Sequence, residues 1–143
     1  MHFSVFKLRK SDEKSLNSDL QWLGRSLGLF GERDKEKSCF RVFLELIKAN
    51  KRRKPISSDE IALRANLARG TVVHHLHKLI SSGLIISENN KYLLRESNIE
   101  DLIIEMRKDM LRIMQDMQDV AQEIDEELGL SKKQRKESTI QEQ

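Results

Sequence analysis

Three of the chain's four histidines, His74, His75 and His77, fall within four positions of the stretch ARGTVVHHLHKL (68–79). Imidazole ligates metals, relays protons and, when exposed, both donates and accepts hydrogen bonds toward a partner. Spacing narrows these choices. On a helix only His74 and His77 are close neighbours, and no carboxylate or cysteine stands near them in sequence to complete a metal site, so Cys39 would have to arrive from another helix. The expectation is no metal and no cofactor. Catalysis has less to draw on: no Ser or Cys nucleophile sits in a motif and no phosphate-cradling glycine loop occurs. The paired carboxylates of the acidic segment near the C-terminus are accounted for by solvation. The chain is not expected to be an enzyme. What remains is a helical face that reads something.

At about 100° per residue, Val72, Leu76, Leu79 and Ile80 line one side of the helix over 69–82, with Val73 at the margin. These are the expected core. The opposite arc carries Thr71, His74, Lys78 and Ser81, flanked by Gly70 and His77 on one side and His75 on the other, with Arg69 in the first turn. A second helix must precede it. Ser57, Ser58, Asp59 and Glu60 form an S-x-x-E capping box, Ile61, Ala62 and Ala65 supply a buried side, and Asn66 stands at the turn, where it tolerates positive φ. Leu67 would plug that turn from below. After Gly83, the runs Leu84 to Ile86 and Tyr92 to Leu94 flank Glu88-Asn89-Asn90-Lys91, which predicts a two-stranded hairpin over 84–95. The order is helix, turn, helix, hairpin.

Charge fits that order. The 143 residues carry a net +3, but residues 48–95 hold ten Lys and Arg against three acids (+7), and residues 96–130 hold three against eleven (−8). The middle of the chain attracts a polyanion; the following segment repels one. With 38% hydrophobic and 34% charged residues, the length allows one modest globular domain plus something elongated. A lone cysteine cannot form an internal disulfide, no secretory leader is evident, and no apolar run approaches the roughly 18 residues that span a bilayer. A cytoplasmic protein without a membrane partner is expected.

The remaining segments frame this module. Residues 1–33 form an N-terminal segment in which 1–15 is strand or coil. There, Leu16, Leu20, Leu23 and Leu27 recur at helical spacing to about Gly28, a short helix that could contact a second subunit. The domain proper is expected over 34–96. Its first helix is capped by Asp34 and buries Cys39 or Phe40, Phe43, Leu44, Ile47 and Ala49, and the exposed loop KRRKP (51–55) follows. From 97 to 130, Ile99, Ile103, Met106, Met110, Ile113, Met117, Val120 and Ile124 alternate at four and three, the a/d seam of a coiled coil. Such a seam needs a partner helix, most simply its own copy, so a homodimer through the C-terminal helix is expected. The methionines in it read as adaptable packing rather than as the lining of an effector pocket. Residues 131–143 are expected to be a disordered tail.

The run ISSDEIALRANLARGTVVHHLHKLISSGLI followed by a hairpin resembles the winged helix-turn-helix regulators of the ArsR and MarR type, especially their archaeal relatives. The likeness covers about residues 36–95 and is strongest in Arg69 to Leu76 and Lys78 to Ile85. It implies an α+β fold, mainly α with a small β-hairpin wing and a long C-terminal dimerisation helix. It implies a dimer on double-stranded DNA, with the helix over 69–82 in the major groove and the hairpin at the backbone or minor groove. By position, Arg69, Thr71, His74, His75 and Lys78 would face DNA. Gly70, Asn90, Lys91, Arg53 and Lys54 complete the expected contact set, the last three through phosphates. Two departures stand out: Ala68 where relatives often carry a capping Ser, and Asn66 where they often carry Gly. Protonation of these imidazoles near the reference value of about 6.5 would tighten DNA binding on acidification. The alternative is a winged-helix module that binds protein within a larger assembly. Such modules tend toward apolar or acidic residues over 69–78, where this chain has Arg, Thr, His and Lys.

Overall fold

A computed structural model describes residues 2–130 apart from Ser11, Glu13, Glu32 and Lys35. The expected tail, 131–143, lies outside the described residues. In chain order the elements are α1 (Leu16–Ser26), α2 (Ser38–Lys51), β1 (Ile56–Ser57), α3 (Ser58–Ala65), α4 (Arg69–Ser81), β2 (Ile85–Glu88), β3 (Lys91–Leu94) and α5 (Ile99–Leu128). This is the expected α+β class, mainly helical with a small antiparallel sheet and a long last helix. The chain divides into two compact units, residues 1–103 and 104 onward. The N-terminal segment and Leu102, which is fully buried, belong to the first.

Local chemistry sets the boundaries within the first unit. Ser57 caps α3 by accepting a hydrogen bond from the Glu60 amide (3.1 Å). The Glu60 carboxylate does not return the bond as a full capping box would; it pairs with Arg64 one turn on, at 3.0 Å. Asn66 adopts the expected left-handed conformation (φ 53°), and Leu67 N–H reaches back to the Ala62 carbonyl. The chain leaves α4 through Gly83 (φ 75°), whose amide bonds to the Ile80 carbonyl while the Leu84 amide bonds to the Leu79 carbonyl, a Schellman closure. Asn89 and Asn90 both take positive φ (52° and 61°), the pair of left-handed residues that a two-residue hairpin turn requires.

The hairpin carries a third strand that sequence pattern did not announce. β1 pairs antiparallel with β3 (Ile56 opposite Tyr92), so the sheet order is β1, β3, β2. Two residues are too few to show a period of two, and they sit directly beside a proline. In β2 and β3, Ile85 and Leu94 face each other on the buried side, and Ile86 and Leu93 face each other on the other.

α2 packs on α3, α4 and β3. Its buried face is Cys39, Phe40, Val42, Phe43, Leu46 and Ala49; Leu44 and Ile47, expected there, are only half-buried. The sequence is apolar on too wide an arc for periodicity alone to choose its centre. In α4, Val72, Leu76 and Leu79 are buried as expected, whereas Ile80 is exposed. α1 buries Gly24 and Ser26 rather than the leucine stripe, and Leu16 is 76% exposed. The close approach explains it: a Cβ at Gly24 would come within 2.6 Å of the Phe40 ring.

α5 is capped by Asn98, whose side-chain oxygen accepts from the Asp101 amide at 2.8 Å. Along the expected seam, Met106 is buried, Ile99, Ile103 and Met110 are half-buried, and Ile113, Met117, Val120 and Ile124 are exposed. No helix among the described residues is long and apolar enough to cross a membrane.

Candidate nucleic-acid interface

α4 is held from both ends. Arg41 of α2 donates through its guanidinium to the carbonyl of Ala65, the last residue of α3, and so ties the α3 to α4 corner to the central helix. Val72, Leu76 and Leu79 then fix the rotation of α4 about its axis. What faces away is set by that rotation: Arg69, Gly70, His74, His77 and Lys78 are exposed, and Thr71 is half-buried. Ala68 supplies no side-chain cap. Nothing lies within 4 Å of where a Cβ would stand on Gly70, so another molecule can approach the backbone there closely.

Arg69 pairs with Asp59 at 3.2 Å, but both side chains are more than 70% exposed, and a pair so placed contributes little. Its guanidinium can turn to a phosphate at small cost. The Lys78 ammonium lies 3.4 Å from the Gly28 carbonyl and stays in solvent.

His75 departs from its expected place. Instead of facing outward it turns toward the start of α2, where its Nε2 lies 2.6 Å from Ser38 Oγ. The Ser38 hydroxyl donates to Asp34 (2.8 Å), so its oxygen accepts from His75 Nε2–H. His75 Nδ1 is buried with no hydrogen-bond partner among the described residues. Asp34 is not the N-cap expected of it: α2 begins at Ser38 with Lys37 (φ 56°) in the cap position, and Asp34 reaches the start of the helix from upstream by accepting from the Cys39 amide at 3.2 Å.

The electrostatics follow from burial. Desolvation holds the His75 pKa below 6.5, the nearby charges of His74 and Lys78 push the same way, and Asp34 opposes them. Burial works to raise the Asp34 carboxyl, but hydrogen bonds from Ser38 and Cys39, with His75 nearby, outweigh it and hold it below the ordinary value. Burial pushes the Cys39 thiol up to about 11, which leaves it unreactive. Among the described residues no three His, Cys, Asp or Glu side chains gather as a metal would need.

The expected contact residues fall into separate groups. His74, His75 and Lys78 line a groove between α4 and the start of α2, together with Arg33. Arg53 and Lys54 line another, beside Ile86 and Leu93 on the outer face of the hairpin. Asn90 and Lys91 are exposed at the hairpin tip. Arg33 and the exposed His77 were not among the expected contacts; Arg33 lies in the mixed-charge run GERDKEK, where no periodicity marks it.

No family model matches this chain, and neither a curated protein nor a solved structure matches it.

Proposed function

We propose that this chain is a dimeric, sequence-specific double-stranded DNA-binding regulator of transcription, acting in the cytoplasm and similar in plan to the winged helix-turn-helix regulators of the ArsR and MarR type. One observation carries the reading: α4 buries Val72, Leu76 and Leu79 completely, while its first three turns expose Arg69, Gly70, His74, His77 and Lys78. A cationic, hydrogen-bonding helix face with an open glycine near its start suits entry into a major groove through its N-terminal residues. The exposed Asn90 and Lys91 suit a hairpin that meets the backbone. Arg53 and Lys54 add positive charge beside that hairpin, within a stretch of the chain whose net charge is +7. His75 is left out of the contact set, since it serves the joint between α2 and α4.

The test compares duplex binding by variants. His74→Ala combined with Lys78→Ala should weaken binding by about tenfold or more, the loss of one or two base or phosphate contacts, with the melting temperature unchanged. Equal binding by the double variant and the parent would overturn the placement of α4.

A further inference from the structure

We propose that the C-terminal half of α5 is covered by the same half of a second copy of this chain, with the two helices running parallel. The proposal rests on the dimeric reading above and adds the direction of the helices. Beyond Asp109 no residue of α5 is buried, yet the apolar spacing continues. Ile113, Met117, Val120 and Ile124 recur at four, three and four and are 37, 59, 54 and 49% exposed. A continuous apolar stripe on a helix calls for a cover.

Direction follows from charge. With Met117 and Ile124 at a and Ile113 and Val120 at d, the g positions are Asp116 and Glu123, and the e positions are Met114, Ala121 and Leu128. The segment from Ile113 to Leu128 contains six acids and no Lys or Arg. In an antiparallel pair g lies beside g, so Asp116 would sit next to the partner's Glu123 and four carboxylates would crowd one flank with no cation among them. In a parallel pair g lies beside e. Asp116 then meets the partner's Ala121, Glu123 meets the partner's Leu128, and the two acid rows stay on opposite flanks. The other acids leave the seam alone: Asp119, Asp125 and Glu126 occupy b and c, and Glu127 takes the next d position and ends the stripe. A parallel pair also stacks like on like, isoleucine, methionine, valine and isoleucine in successive layers, which a second copy provides and an unrelated helix would have to reproduce.

Single cysteines decide it in the full-length chain. Cys39 does not interfere, being buried with its thiol raised to about 11. In the parallel pair, Ile113→Cys and Ile124→Cys should each form a disulfide-linked dimer by themselves under oxidised glutathione. In an antiparallel pair neither can, because two copies of one position lie about 16 Å apart along the axis, beyond disulfide reach, and only a mixture of the two variants cross-links. Cross-linking confined to the mixture overturns the parallel arrangement. Both isoleucines lie outside the folded core, and the unsubstituted chain gives an independent reading: a monomer by sedimentation at about 100 µM overturns the second copy. The face would then belong to a partner helix bearing Lys or Arg opposite the acid row. The DNA reading fails separately, since a monomer can still select a single half-site.

Discussion

At the scale of the residue, His75 shows how a groove-facing assignment gives way to packing. A helical wheel places it on the flank of the exposed arc; whether the flank is solvent or core depends on a neighbour distant in sequence, here Ser38 at the start of α2. Its half-buried imidazole links stability to pH. The unfolded histidine takes up a proton near 6.5 and the folded one resists, so stability present above that value is lost as pH falls through the folded value. The melting temperature should therefore drop between about pH 7 and 5.5, and drop less in His75→Gln. Equal slopes for the two proteins would contradict the assignment. Arg53 offers a second test, because it sits exposed at a positive φ of 56° that glycine adopts freely. Arg53→Gly should gain roughly 0.5–1 kcal/mol of stability by denaturant titration while weakening DNA binding. Unchanged binding would remove Arg53 from the interface. The residues whose conformations the sequence does announce are those with local causes: Asn66, Asn89 and Asn90 in left-handed geometry, and Ser57 as a cap.

At the scale of the element, helices and hairpin were legible because their signals are local and periodic. What was not legible depended on partners far along the chain. β1 exists only because β3 pairs with it, and the buried face of α1 is set by Phe40 from α2. Gly24 makes this measurable. In an isolated helix, Gly to Ala stabilises by about 1 kcal/mol. Here the added methyl would stand 2.6 Å from a buried ring, so Gly24→Ala should destabilise by roughly 1–3 kcal/mol. A stabilised variant would mean that α1 does not pack this tightly. α5 shows the reverse case, since its spacing was plain but the sequence alone could not separate its buried start from its exposed continuation, Ile113 to Ile124. Ile113→Asp should abolish the dimer and leave the melting of the first unit unchanged, and sedimentation showing an intact dimer would count against the seam.

At the scale of the whole molecule, charge is divided along the chain, basic over 48–95 and acidic over 96–130. A duplex should be drawn to the first segment and kept off the second. If each binding event neutralises about four phosphates, affinity should fall about a hundredfold between roughly 50 and 200 mM salt. A flat salt profile would remove Arg53, Lys54, Arg69 and Lys91 from the phosphate contacts. The central claim, that α4 reads sequence, is tested most directly by selecting bound DNA from a random double-stranded pool at physiological salt. The account predicts recovery of an inverted repeat with half-sites about one helical turn apart. Recovery of no sequence above background would contradict it, leaving a basic surface that holds DNA without reading it.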